Sequence, residues 1–269
     1  MLLVYSLFTS YLTNTMKHYS LFLLALCVLG LNACTTLNGP AAENDPLESY
    51  NRSIYKFNDG VDHYLLKPVA KGYDAVTPDF AQQGIGNFFN NLDDVLVIAN
   101  DLLQFKLLQA AQDTGRFVVN STLGLLGFID WASDIGLEKH HEDFGQTLGV
   151  WGVPAGPYFM LPFLGPSTIR DTGGLTADST YFNPVYKELN KGFPPPSRSS
   201  KKAVWGMVAL DTVDSRAKLL KAEAILEEAA LDKYSFIREA YLQKRKNLVF
   251  DGAPPEDDGG FSEDDLFSE

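Results

Sequence analysis

The chain has 269 residues, with 22 lysines and arginines against 34 aspartates and glutamates and a formal net charge of −12. That balance, without any basic patch, excludes a nucleic-acid binder, and two cysteines exclude a disulfide-built scaffold. No Gly-x-Ser-x-Gly, P-loop or complete dinucleotide fingerprint occurs; "GIG" at 84–86 is only a fragment of the last.

In chain order, the first element is the apolar run Leu21 to Ala33, "LFLLALCVLGLNA", preceded by Lys17. It falls short of the ~20 apolar residues a spanning helix needs and fits the core of a secretion signal. It ends in "LNAC", which resembles the lipobox at which bacterial lipoproteins are cut before an acylated cysteine, with Asn32 where a small or β-branched residue is usual. The expected division is a signal peptide at 1–33 and a short lipidated tether at 34–44, with Cys34 the lipid attachment site. Residues 1–15 carry no charge, so Met16 reads as the true start. Cleavage would remove Cys27 and block Cys34, leaving no thiol for catalysis or zinc.

Residues 45–250 read as one helical domain. Asp45, Pro46 and Glu48 have the spacing of a capped helix start. Leu47, Tyr50, Ile54, Phe57, Val61 and Leu65 form one apolar stripe at steps of three and four. Pro68 is expected to end that helix, and "GYDAVTPDF" to be a turn region. From Asp79 to about Gly136 the pattern is helical and unusually apolar, with Phe117–Ile129 holding no charge and nothing alternating with period two. Read as a helix, those thirteen residues span ~20 Å, enough for one leaflet of a bilayer. His140, His141, Glu142 and Asp143 are sequence neighbours, whereas helical metal ligands sit at i and i+4. They read as a polar helix end before a loop, and no catalytic residue, metal ligand or cofactor is assigned.

Residues 144–169, "FGQTLGVWGVPAGPYFMLPFLGPSTI", hold no charge, four prolines and five glycines. They cannot form one helix. In lipid, non-helical backbone survives only when buried in protein or lining a watery cavity, which suggests a loop packed at a membrane-embedded passage. Arg170 and Asp171 follow directly, where charges are costly unless used, and are candidates for a pore or headgroup contact. Residues 171–198 read as short helices and turns, and 200–246 as an amphipathic helix pair. That pair has stripes at Val213, Ala217, Leu220 and Ala224, then Leu226, Ala230, Tyr234, Ile237 and Tyr241, with Lys244, Arg245 and Lys246 suiting the last turn. Residues 251–269 contain eight acids and no bases and read as a disordered acidic tail.

"NDPLESYNRSIYKFND", "KPVAKGYDAVTP", "NFFNNLDDV", "FVVNSTLGLLGFIDWA", "EDFGQTLGVWGVPAGPYFMLPFLGPSTIRDTGG" and "REAYLQKR" resemble the MlaA (VacJ) outer-membrane lipoproteins of Gram-negative bacteria over about 44–246. The resemblance implies a non-enzymatic, all-α, ring-like helical domain embedded in the inner, periplasmic leaflet of the outer membrane. It implies a central channel by which misplaced outer-leaflet phospholipids reach a periplasmic phospholipid carrier protein, maintaining lipid asymmetry, with an outer-membrane trimeric porin as partner. The segment matching Gly149–Leu164 would form a Gly/Pro-rich hairpin-like loop at the channel. Candidate channel and loop residues are Asn120, Ser121, Gly149, Gly152, Pro154, Gly156, Pro157, Arg170 and Asp171. The competing readings are a membrane-anchored phospholipase using residues 140–143 and a purely structural porin-associated lipoprotein.

Overall fold

The computed structural model describes residues 45–183, 198–229 and 232–255. The expected signal peptide and tether with Cys34, the triple proline, Ala230 and the tail beyond 255 lie outside these residues. The chain divides into two compact units, Met1–Tyr50 and Asn51–Glu269. Of the first, the described part is a turn leading into a helix, with the Glu48 N–H donating to the Asp45 carbonyl at 3.2 Å.

Among its described residues the second unit is helical apart from one hairpin. Helix α1 (Glu48–Val61) runs through a π-helical turn (Asp62–Leu66) into α2 (Lys67–Val76). Pro68 therefore does not end the helical run, as the sequence suggested, and Gly72–Val76 is helix rather than turn. Proline lacks an N–H and clashes with the carbonyl four residues back. The wider turn accommodates it, and the Lys67 N–H reaches the Asp62 carbonyl, five residues back. Helices α3 (Asp79–Leu103) and α4 (Leu107–Thr122) form an antiparallel pair. The apolar run Phe117–Ile129 is helix only to Thr122. Beyond it Leu125 and Leu126 take φ of 53° and 61°, and Gly127 φ of 97°, in a turn that leads to the short α5 (Trp131–Asp134).

The uncharged stretch divides in two. Its first third is helix α6 (Phe144–Val150), capped by the Asp143 carboxylate, which accepts from the Gln146 N–H at 2.9 Å. Gly152, at φ 88°, ends it in the left-handed conformation that suits glycine. The rest is a β-hairpin: β1 (Tyr158–Leu161) pairs antiparallel with β2 (Gly165–Thr168), Tyr158 opposite Thr168. The segment expected to form a hairpin-like loop thus carries two short paired strands. Pro166 and a four-residue strand length hid the pattern. Thr168 caps α7 (Ile169–Ala177), accepting from the Asp171 N–H at 3.1 Å. Gly145 and Gly174 let α6 and α7 touch backbone to backbone: a Cβ at Gly174 would lie 2.3 Å from the Gly145 nitrogen. Helices α8 (Arg198–Ala229) and α9 (Lys233–Val249) follow, the latter capped by Asp232.

The hairpin is held on α1 by two amides. Asn51 donates to the Tyr158 carbonyl at 3.2 Å and accepts from the Met160 N–H at 2.8 Å. Asn58 donates to the Leu161 carbonyl at 2.9 Å and accepts from the Phe163 N–H at 2.8 Å. Tyr158, Met160 and Tyr234 form a small buried apolar cluster between α1, the hairpin and α9.

Candidate lipid passage

The distribution of polarity is inverted. Among the described residues, nineteen polar or charged side chains are buried against nine apolar ones, so hydrogen bonds and ion pairs, more than oil, fill the interior. On α1 the buried residue is Asn51, while Phe57 and Leu65 of the apolar stripe are exposed. On α3 the buried positions are Gly84, Gly86, Asn91, Asp94, Val97, Asn100 and Asp101. The exposed set includes Phe105, Leu107, Leu108, Leu123, Leu125, Leu126, Phe163, Leu164 and Trp205. A water-soluble domain arranges these the other way round.

At the meeting of α6, α7 and α9 lies an ionic cluster. Arg245 binds Asp143 with both terminal nitrogens, one pair at 2.9 Å, and reaches Asp171 through Nε at 3.1 Å and Nη2 at 2.9 Å. Tyr241 donates to Asp171 at 2.9 Å, and Arg170 Nε to Asp171 at 3.1 Å. Burial alone would raise both carboxyls, but Arg245 holds Asp143 and Asp171 below their ordinary values. Burial would lower the Arg245 guanidinium; Asp143 and Asp171 push it above its ordinary value instead.

Two cavities share this cluster as a wall. One, of about 240 Å³, lies beside the hairpin, with Leu161, Leu164, Pro166 and Asp178 on its lining. The other, of about 410 Å³, lies beside α3, with Asp93, Leu96, His141, Lys244 and Leu248 on its lining. Asp143, Tyr241 and Arg245 line both.

Of the residues expected from sequence, Asp171 lines the smaller cavity and Arg170 leans on Asp171. Gly149 packs where a Cβ would meet Val249 at 2.8 Å and Arg170 at 2.9 Å. Gly152, Pro154, Gly156 and Pro157 lie on the exposed link between α6 and β1. Asn120 and Ser121 belong to a different hydrogen-bonded set. Asn120 donates to Asp130 at 2.8 Å and accepts from the Ala132 N–H at 3.0 Å, and Ser121 accepts from Asn91 at 2.9 Å. They fix the α4–α5 turn and line neither cavity. Residues 140–143 are not a helix end but the approach to α6. His140 sits on buried Asp113 at 2.9 Å, and Glu142 binds Gln104 at 2.8 Å, Lys106 at 2.9 Å and Gln109 at 3.0 Å. Sequence reasoning missed Arg245, Tyr241, Lys244 and Asp93 as site residues. The basic pair had been read as charge for the end of a helix, and nothing local marked its partners.

The profile of the MlaA lipoprotein family matches residues 43–248. The chain belongs to the MlaA lipoprotein family. Among MlaA relatives, "Intermembrane phospholipid transport system lipoprotein MlaA" of Escherichia coli K12 is 36% identical over 78% of this chain and 80% of its own length. The protein of the same name in Haemophilus influenzae is 34% identical over 88% of this chain and 93% of its own. A solved chain described under "Structural basis for maintenance of bacterial outer membrane lipid asymmetry" superposes with a TM-score of 0.63 at 33% identity, covering 76% of this chain and 98% of that one. The helical fold of the MlaA family is thus the fold of this chain, with the hairpin the one sheet element among the described residues.

Proposed function

We propose that the chain is an outer-membrane lipoprotein of intermembrane phospholipid transport that maintains lipid asymmetry. Family membership supports the role, and the observation that carries the mechanism is the inverted polarity: a charged, hydrogen-bonded interior under an apolar surface. Moving a phospholipid headgroup through hydrocarbon costs many kcal/mol unless polar groups line its route, while the acyl chains can remain in lipid. The two cavities meeting at Arg245 supply such a route in two chambers, and the Arg245–Asp143–Asp171–Tyr241 cluster is its constriction. On this reading the body lies in the periplasmic leaflet, held by an acylated Cys34, beside a trimeric porin. It delivers phospholipid to a soluble periplasmic carrier.

The test is outer-leaflet phospholipid in a strain lacking the protein, measured by phospholipase accessibility. The wild-type chain should restore the low level, and Cys34→Ala should not. Restoration by a chain whose smaller cavity is filled by Ser167→Trp, at normal abundance, would count against the passage.

A further inference from the structure

The larger cavity carries a specific charge pattern. Of its charged lining groups, Asp143 is neutralised by Arg245, and Glu142 by Lys106. Asp93 on α3 and Lys244 on α9 remain, and neither has a hydrogen-bond or ion-pair partner among the described side chains. Asp93 and Lys244 are both exposed, so they stand at the open side of the cavity, where solvent and a ligand can reach them. Partial desolvation pushes the Asp93 carboxyl up to about 6, with Lys139 offsetting part of it. The His141 imidazole is held below its ordinary value by burial and then by Lys139 and Lys244, so the cavity has a cationic side as well as an anionic one.

We propose that the chamber between α3 and α9 is a headgroup-selecting site that prefers a zwitterionic phosphodiester bearing a primary ammonium, as in phosphatidylethanolamine, over an anionic one such as phosphatidylglycerol. This rests on the transport reading above and names its substrate class. The phosphodiester is met by Lys244, with the Arg245 edge of the wall beside it; the ammonium is met by Asp93. An anionic headgroup satisfies Lys244 but brings a second negative charge beside Asp93 and offers that carboxylate no cation. A volume of about 410 Å³ falls in the range of small-ligand sites, enough for a headgroup while the chains stay outside.

The full-length lipoprotein in nonionic detergent is titrated with dihexanoyl phosphatidylethanolamine, dihexanoyl phosphatidylglycerol and glycerophosphoethanolamine, and binding is read by native mass spectrometry. The expected result is a roughly tenfold preference for the ethanolamine lipid over the glycerol lipid, the scale of one charge-assisted hydrogen bond. Asp93→Asn should abolish that preference by weakening the ethanolamine lipid alone, and Lys244→Gln should weaken both lipids. Asp93→Ser is the reserve variant, and thermal melts establish that each variant is folded. Equal binding of the two lipids, or an unchanged preference in folded Asp93→Asn, overturns the proposal. Tighter binding of glycerophosphoethanolamine than of the lipid overturns it in favour of a soluble phosphodiester. The cellular phospholipase assay reports on transport separately, so a selectivity failure with normal clearance leaves the passage standing.

Discussion

Arg245 shows what a single side chain does in an inverted interior. It compensates two carboxylates that lie 102 and 74 residues away in sequence. Removing one partner leaves a buried charge alone, which costs about 3–5 kcal/mol. Arg245→Ala should therefore lower stability on that scale in a urea melt, and Asp171→Asn by less, because the amide still accepts from Tyr241. Comparable losses for both would mean that geometry, not charge, holds the cluster. The other buried acids set a pH dependence of a definite sign. Burial pushes Asp178 up to about 6, and burial together with neighbouring Asp113 pushes Asp101 to about 7. Between the ordinary carboxylate range near ~4 and these values the folded chain binds protons that the unfolded chain does not, so stability falls as pH rises through that window. Asp143 and Asp171, held low, lose their contribution only as pH falls below that range. The melting temperature should be higher near about pH 5.5 than near about pH 7.5, and Asp101→Asn should shrink the difference. A melting temperature that is flat or rises with pH contradicts this assignment.

At the scale of elements, the glycines of the uncharged stretch separate by mechanism. Gly152 has open space around its missing Cβ but a φ of 88°. Gly152→Ala should cost only the left-handed backbone penalty of about 1–2 kcal/mol. Gly149 is helical, and a side chain there collides with Val249 and Arg170. Gly149→Val should cost about 1–3 kcal/mol by overpacking, and it should disturb Arg170 beside the ionic cluster. Paired melts measure both; a harmless Gly149→Val would mean that α6 and α9 can separate. Most helices were legible because apolar residues recur every 3.6 positions in Val213–Leu220 and Tyr234–Tyr241. The strand pairing within the hairpin was not, since YFML and GPST offer no alternation of apolar and polar residues. Pro68 misled because the sequence does not announce that a helix can widen to a π turn.

Taken over the whole second unit, the same periodicity is silent about direction. A stripe such as Leu47–Leu65 fixes a helix and two faces, but it does not say which face looks inward; a polar interior and a watery exterior give one pattern. Only the burial of Asn51, Asp94, Asp101 and Asp113 decides it. Nothing in the sequence pairs the acids of α3 and α4 locally, because their partners come from residues 139–142. The consequence is testable without the anchor. Cys34→Ala protein, lacking any acyl chain, should still float with phospholipid vesicles, because residues such as Phe105, Leu108, Leu125 and Trp205 offer apolar area worth about 25 cal/mol per Å² buried. Recovery in the aqueous fraction without detergent would argue that another protein, not lipid, covers that surface.

The two asparagines of α1 have one more implication. Asn51 and Asn58 are seven residues apart, a rise of about 10.5 Å on a helix, and the hairpin backbone they serve advances three residues, about 10 Å on a strand. The helix acts as a ruler whose two marks coincide with the hairpin's spacing, standing in for an absent neighbouring strand. A ruler fails by phase rather than by degree. One alanine inserted between Tyr55 and Lys56 would turn Asn58 about 100° around the axis and shift it about 1.5 Å, so one mark must miss. The hairpin would then keep its own two-stranded pairing but lose one end of its mooring, freeing the Phe163 tip while Tyr158 stays docked.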